Sequence, residues 1–143
     1  MIALAQISDA ATSTTVASLD THVAAVIGPR YGAVATFLGV VRDHDPSVEG
    51  EVTALEYSAH PDAPQVLASI CASHDGPDVA IAVTHRVGVL GVGETALVAA
   101  VASAHRREAL DTLGALVEHI KAELPVWKKE MLADGGHTWV GIS

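Results

Sequence analysis

The chain has 143 residues, half of them apolar, and a formal net charge of −9 at pH 7, which fits a single domain over residues 1–143 with a real core. The acidic balance argues against a nucleic acid partner, because phosphate backbones require clustered positive charge. With no signal peptide, no membrane-spanning run and one cysteine, the chain is expected to be a soluble cytoplasmic protein without an internal disulfide.

The N-terminal part of the chain predicts two strands separated by a helix. Residues 1–7 suit a short strand, and Ser18 is placed to cap a helix that ends near Gly28. Residues 32–41 are apolar and rich in β-branched side chains, which predicts a buried strand that leads to Arg42. A polar loop containing proline and glycine follows this strand.

The middle of the chain predicts one further strand, a helix and a pair of strands. Alternation over residues 52–59 suits a strand, and Pro61 suits the first turn of a helix that runs to about His74. Residues 78–88 and 94–104 then predict two apolar strands separated by a glycine-rich turn.

The C-terminal part predicts the longest helix and a hairpin. The helix runs from His105 to about Leu124, where Pro125 ends it. Apolar residues recur every three or four positions along the helix. Its inner face is therefore predicted to consist of Leu110, Leu113, Val117, Ile120 and Leu124. Residues 126–132 and 137–142 flank the sequence ADGG, which predicts a hairpin. Together the elements predict an α+β domain with at least one mostly antiparallel sheet.

All three lysines of this acidic chain lie within one stretch of ten residues, KAELPVWKKE, which runs from Lys121 to Glu130. Lys121 falls on the last turn of the long helix, where any cation suits the helix dipole, so it is open to an ordinary helix-end explanation. Lys128 follows Trp127 on the strand predicted just past the proline. A lysine beside apolar surface and other cations has a lowered pKa, which suits proton transfer or covalent chemistry.

Two other stretches contain candidate anion-binding residues. Arg42 follows a buried strand, where its guanidinium is placed to hold a phosphate or carboxylate, although a solvated strand end explains it equally well. His105, Arg106 and Arg107 begin the long helix, at the end where the helix dipole disfavours cations. A bound anion would relieve this conflict, and compensation by Glu108 is the alternative.

The spacing of the candidates limits how they can combine. His105 and Lys121 are sixteen residues apart on one predicted helix, which separates them by about 24 Å. If both belong to one site, two copies of the chain must contribute, so we expect a homodimer with shared sites. His85 and Arg86 are more readily explained as hydrogen-bonded residues near a turn. The histidines show no metal-binding spacing, so no metal site is predicted.

Four stretches in order carry a resemblance to a known family. They are GAVATFLGVVRDH, THRVGVLGVGE, SAHRREA and KAELPVWKKE, the last followed by Trp139. The sequence resembles the large subunit of molybdopterin synthase, MoaE, from about Gly32 to Val140. Each motif alone is weak evidence for the family, but the four motifs in the same order over most of the chain are specific to it.

The resemblance implies a MoaE-type α/β hammerhead fold with an additional antiparallel β-sheet. It also implies a homodimer that binds a small ubiquitin-like sulfur carrier of the MoaD type at each end, which makes a heterotetramer. The C-terminal thiocarboxylate of the carrier would enter the pocket and transfer its sulfur, in two rounds, to cyclic pyranopterin monophosphate. The product would be the dithiolene of molybdopterin. No cofactor, nucleic acid or membrane is implied.

The resemblance also implies roles for particular residues. Lys121 and Lys128 would be catalytic. The residues implied to bind the substrate or line the same pocket are Arg42, His105, Arg106, Lys129, Glu130 and the backbone near Val40 and Val41. Family members often carry an arginine shortly after the final Trp-Val pair, and the sequence WVGIS lacks it; Arg107 is a candidate replacement.

Two alternatives stay open at the level of sequence. The chain is also compatible with a non-catalytic dimeric module that binds the tail of a ubiquitin-like carrier, although the intact lysine pair argues against it. A small regulatory domain that binds a phosphorylated ligand is the third possibility, and it would need no carrier protein.

Overall fold

The computed structural model describes residues 1–9, 17–45 and 50–140. These residues form seven strands and three helices. The strands are β1 (Ile2–Asp9), β2 (Ala33–Val40), β3 (Val52–Ala59), β4 (Val79–Gly91), β5 (Thr95–Ser103), β6 (Val126–Leu132) and β7 (His137–Val140). The helices are α1 (Leu19–Val26), α2 (Ala63–Ser73) and α3 (Arg106–Glu123). A helix follows β1 and each of the first two strand pairs, β2–β3 and β4–β5. The predicted α+β class is confirmed.

The seven strands form one continuous sheet in the order β2-β5-β4-β3-β6-β7, with every neighbouring pair antiparallel. β1 lies outside this path and pairs in parallel with β4. The long strand β4 joins two halves of the sheet, because its first part pairs with β5 and β1 and its last four residues pair with β3. The mostly antiparallel sheet was predicted, whereas the parallel pairing of β1 was not.

Alternating side chains of β4 and β5 pack against helices on both faces of the first half of the sheet. Successive side chains of a strand point to opposite faces. Ala80, Ala82, Ala100 and Ala102 pack around Val26 of α1, where small side chains let the helix approach closely. Residues on the opposite face of the same strands, among them Ile81 and Leu97, contribute to the main core with α2 and α3. No helix among the described residues has the length and apolar character needed to cross a membrane.

Most predicted element boundaries agree with the structure to within a few residues. Ser18 caps α1 as expected, since its Oγ accepts a hydrogen bond from the Thr21 N–H at 3.2 Å. Pro61 precedes α2 rather than opening it, and Pro64 occupies the first turn instead. The strand predicted to stop at Gly88 continues to Gly91 because its last residues pair with β3.

The inner face of α3 differs from the predicted stripe at one position. Leu110 is 59% exposed, whereas Ala109 and Leu116 are buried in the main core. A spacing of three or four residues is compatible with either Leu110 or Ala109 and Leu116 on the inner face. Packing of the helix against the sheet determines which of them is buried. The end of the helix agrees with the prediction: the Leu124 N–H donates to the Ile120 carbonyl, and β6 begins directly after Pro125.

Candidate active site

A narrow pocket lies between the C-terminal end of α3 and strands β3, β4 and β6. Its lining consists of Tyr57, His85, Ile120, Lys121, Leu124, Val126 and Lys128. The two lysines singled out in the sequence therefore meet at one pocket, although they belong to different elements. Both are half-buried, so their ammonium groups stand beside apolar walls rather than in open solvent.

Pro125 and the alternation of β6 bring the two lysines together. The proline ends α3 one turn after Lys121, and its carbonyl accepts a hydrogen bond from the His60 N–H at 3.0 Å, which fixes the bend. Because strand side chains alternate, Val126, Lys128 and Glu130 share one face of β6. The sheet register sets Tyr57 of β3 directly opposite Lys128.

The electrostatics of the pocket distinguish Lys121 from an ordinary surface lysine. Burial lowers the pKa of Lys121, and the positive charge of Lys128 lowers it further. The amine of Lys121 is therefore more readily deprotonated near neutral pH than that of a solvated lysine. A group of this kind can both accept and donate a proton during a reaction.

Tyr57 and His85 also line the pocket, and the sequence did not identify either as a pocket residue. Their rings meet edge to face with centroids 5.2 Å apart. Burial raises the pKa of Tyr57, and the carboxyl of Glu130 adds to the increase, so the phenol stays protonated. Tyr57 carries no motif, and His85 is recognisable only once β4 is known to pass beneath the lysines.

His85 is held in its neutral form inside the protein. Its Nδ1 lies 2.7 Å from the carbonyl oxygen of Arg86, and because a carbonyl only accepts, Nδ1 carries the proton. Burial lowers the pKa of His85 to about 4, an effect that the Arg86 carbonyl opposes and the charge of Lys121 reinforces. The hydrogen-bonded state expected from the sequence is observed, but in a strand rather than a turn.

The pKa of His85 predicts an acid-sensitive fold. A histidine with a folded-state pKa below its unfolded value stabilises the protein above pH 6.5, and this contribution is lost as the pH falls towards 4. The loss for His85 amounts to as much as about 3 kcal/mol, at 1.36 kcal/mol per pH unit. Urea unfolding at neutral and acidic pH should show a smaller pH effect in His85→Gln than in wild type. His60→Gln, at an exposed site, is the matched control, and an equal pH effect in all three proteins would refute the assignment.

Glu130 is the most unusual acid near the lysines. Its side chain is 1% exposed, and Oε2 has no hydrogen-bond partner among the described residues. Burial raises the pKa of Glu130 to about 7, together with a side-chain hydrogen bond to Asp45 and the charge of that residue. The positive charges of Lys128 and Arg42 oppose this increase. The predicted neighbourhood of Lys128, Arg42 and Glu130 is therefore present within one chain.

Lys129 points away from the two pocket lysines. It lies on the other face of β6, where its Nζ is 3.1 Å from the Glu56 carboxylate and 5.2 Å from the centre of the Trp139 ring. Trp127 shares that face and is 37% exposed. The structure does not bring Lys129 together with Lys121 and Lys128, and its role in the pocket stays a prediction.

The end of β2 shows which of its groups are open to a ligand. Arg42 is exposed and Val40 is 51% exposed, whereas Val41 is buried. Both backbone polar groups of Val41 are already paired: its N–H donates to the Glu94 carbonyl at 2.9 Å, and its carbonyl accepts from the Gly93 N–H at 2.8 Å. The Val41 N–H is therefore not free to donate to a ligand.

The cationic start of α3 lies at the opposite end of the helix from Lys121. His105 is the N-cap and makes no side-chain capping bond, and Glu108 lies in the first turn, as the alternative explanation required. Arg106 and Arg107 are exposed beside a shallow surface depression that also includes Leu110 and Asp111. Because α3 is one unbroken helix, His105 and Lys121 are about 24 Å apart. One chain does not bring these groups into one site.

Comparison with known proteins relates most of the chain to one family. The family model described as MoaE protein matches residues 12–123. The chain is 38% identical over 129 residues to molybdopterin synthase catalytic subunit 1 of Mycobacterium tuberculosis, which covers 87% of this chain and 84% of that protein. It is 43% identical over 114 residues to the molybdopterin synthase catalytic subunit of Bacillus subtilis, with coverage of 77% and 70%.

Solved structures show the same fold. The crystal structure of molybdopterin synthase from Staphylococcus aureus superposes with a TM-score of 0.82 at 30% identity, covering 94% of this chain and 95% of that one. A protein-protein complex of subunits 1 and 2 of the molybdopterin-converting factor from Helicobacter pylori includes a chain with a TM-score of 0.70 at 18% identity, covering 97% and 89%. At that identity the second likeness concerns the fold alone. The fold implied by the sequence resemblance is confirmed.

Proposed function

Because the chain belongs to the MoaE family, we propose that it acts as the catalytic subunit of molybdopterin synthase and transfers sulfur to cyclic pyranopterin monophosphate. The sulfur comes from the C-terminal thiocarboxylate of a small ubiquitin-like carrier of the MoaD type. The observation that carries the proposal is the convergence of Lys121 and Lys128 at one half-buried pocket, with the pKa of Lys121 lowered. An anionic thiocarboxylate and a phosphate both suit a cationic pocket in an otherwise acidic protein.

The reaction assigns a different task to each lysine. The thiocarboxylate sulfur forms a bond to a carbon of the precursor while a C–O bond at that carbon breaks, and the departing oxygen leaves as a protonated or phosphate-bound group. Water then cleaves the acyl–sulfur bond, which leaves sulfur on the precursor and a carboxylate on the carrier. Lys121 accepts and donates the protons that these steps require, because burial and the charge of Lys128 lower its pKa and make its neutral amine more accessible than that of a solvated lysine. Lys128 and Arg42 supply the positive charge that stabilises the phosphate and the developing oxyanion. A second round delivers the second sulfur, and no resident cofactor takes part.

A homodimer completes this site in the proposal. His105 and Arg106 lie at the far end of α3 from Lys121, so they reach a pocket only if the partner copy supplies them. A carrier bound at each end would make the assembly a heterotetramer. The Helicobacter pylori structure, whose chains are two subunits of a molybdopterin-converting factor, provides a parallel for pairing of this kind.

The other implied contacts belong to the same proposal with different degrees of support. Glu130 is next to the lysines, and the exposed Val40 side chain lies close to Arg42 in the chain. The paired backbone of Val41 and the opposite orientation of Lys129 give less support to their contacts. The cytoplasmic location stays a prediction of the sequence.

Product formation with purified components tests the proposal. The protein, a carrier with a C-terminal thiocarboxylate and the pterin precursor should together form a dithiolene product, and a carrier ending in an ordinary carboxylate should form none. Arg30→Ala is a suitable control variant, because it removes a cation that is exposed, pairs with Asp78 and does not line the pocket. Carrier binding without product would favour the non-catalytic module, and failure to bind the carrier would favour a small-ligand domain.

A further inference from the structure

A carboxyl group that no sequence motif identified, that of Asp45, meets Glu130 at the pocket face of β6. Glu130 follows Lys128 by two residues and so shares its face of the strand. Asp45, in the loop that follows β2, forms a side-chain hydrogen bond with Glu130 and is itself half-buried. Within the described ranges, the second oxygen of Glu130 is buried and unpaired. Two acids thus meet beside a lysine of the pocket.

Two carboxyl groups joined by a hydrogen bond hold one proton between them, because only a protonated carboxyl can donate. Glu130 is the better site for that proton, since its side chain is 1% exposed and burial disfavours a charge most strongly there. Burying an oxygen without a hydrogen-bond partner also costs less free energy in a neutral carboxylic acid than in a carboxylate. Asp45 then accepts the hydrogen bond as the charged partner.

The other groups near Glu130 lie on its own strand, in the loop after β2, and on the neighbouring strands β3 and β7. Lys128 lies on the same strand, Arg42 lies in the same loop as Asp45, and both favour ionisation of Glu130. Tyr57 of β3 is close enough for Glu130 to raise its pKa. On β7 the residue opposite Glu130 is Thr138, which carries no charge. The net result is a pKa of about 7, so Asp45 and burial outweigh the two cations.

The protonation state of Glu130 determines how much positive charge the pocket offers. An ionised Glu130 would pair with Lys128 and compete with any anionic ligand for that ammonium group. A neutral Glu130 leaves the charge of Lys128 free for the thiocarboxylate or the phosphate. The choice depends on Asp45, which is the only group in this set, burial aside, that holds the proton on Glu130.

We propose that Asp45 is a positioning residue of the sulfur-transfer pocket: it shares a proton with Glu130, keeps that carboxyl neutral and so reserves the charge of Lys128 for the anionic substrate. This inference rests on the proposed function for its role in the reaction. The shared proton itself is a property of the protein alone, which lets the two be tested separately.

Asp45→Asn removes the negative charge and keeps the size of the side chain. Glu130 should then ionise at lower pH, so the infrared carbonyl band of its protonated form, present in wild type at about pH 6, should be lost. Glu130→Gln should also lack the band and identifies it. Asp43→Asn is the matched control, because Asp43 is an exposed acid of the same loop, and it should keep the band.

The kinetic counterpart is a change in substrate affinity. At about pH 6, Asp45→Asn should raise the KM for the pterin precursor about tenfold, the worth of one charge-assisted hydrogen bond, with a smaller change in kcat. Asp45→Glu, which keeps the charge, should recover part of this loss. In a Glu130→Gln background, Asp45→Asn should change KM by less than about twofold, since its effect passes through Glu130.

The outcomes separate the inference from the function it rests on. A carbonyl band that persists in Asp45→Asn would overturn the role of Asp45. The same conclusion would follow if Asp45→Asn raised KM as much in the Glu130→Gln background as in wild type. A wild-type protein that shows the band but forms no dithiolene product would contradict the proposed function and leave the shared proton standing. The infrared measurement requires neither carrier nor substrate.

Discussion

Lys121→Ala should lower the rate of dithiolene formation by about 10²- to 10⁴-fold, the usual contribution of a positioned acid–base group, while carrier binding is retained. Lys121 is half-buried at the end of α3, and its pKa is lowered by burial and by Lys128. Among the described residues, the other lysine that lines the pocket is Lys128. Its charge is needed for the anionic ligands, so it does not replace Lys121. Single-turnover product formation and calorimetric binding of the carrier measure the two effects separately.

Lys121→Arg is the informative companion variant. Arginine keeps the positive charge but does not lose its proton in proteins. The variant should therefore stay strongly impaired if proton transfer is the task of Lys121. Activity close to wild type in Lys121→Arg would show that only a positive charge is required there. Arg30→Ala, far from the pocket lining, should behave as wild type in both measurements.

Arg106→Ala should raise the KM for the pterin precursor by about 10²-fold, because a charge-assisted hydrogen bond to phosphate contributes about 3 kcal/mol at its upper end. Arg106 is exposed at the N-terminal end of α3, so its loss should leave the thermal unfolding temperature nearly unchanged. Initial-rate kinetics over a range of precursor concentrations separate the large change in KM from a smaller one in kcat.

Arg106→Lys gives the control for this prediction. Lysine keeps a charge but lacks the fork that binds phosphate through two hydrogen bonds, so an intermediate KM is expected. An unchanged KM in Arg106→Ala would remove Arg106 from the site. A loss of activity accompanied by a lowered unfolding temperature would instead indicate a structural role.

The parts of the site that could be predicted from sequence depend on local signals. The spacing of apolar residues in α3 and the end of the helix at Pro125 predict that Lys121 lies on the last helical turn. Alternation after the proline predicts that Lys128 lies on a strand. The same alternation already implies that Lys129 faces the other side of β6, opposite Glu56. The family motif places Lys129 beside Lys128 in the sequence, although the two side chains face opposite sides of the strand.

The parts that could not be predicted depend on contacts between distant segments. Tyr57 reaches Lys128 through the register of β3 and β6. His85 lines the pocket because β4 pairs with β3 from Gly88 onward, three residues after His85. Asp45 meets Glu130 through a loop with no periodic pattern. The exposure of Leu110 has the same origin, since only the packed sheet decides which spaced residues face inward.

Activity of a purified mixed dimer, with Lys121→Ala in one copy and Arg106→Ala in the other, is the most direct test of the central claim that two chains build one sulfur-transfer site. If each site takes Lys121 from one chain and Arg106 from its partner, one of the two sites in the mixed dimer is intact, and about half of the wild-type activity should return. Differently tagged copies allow the mixed dimer to be isolated from the two parent dimers. A mixed dimer no more active than its parents would contradict the shared site.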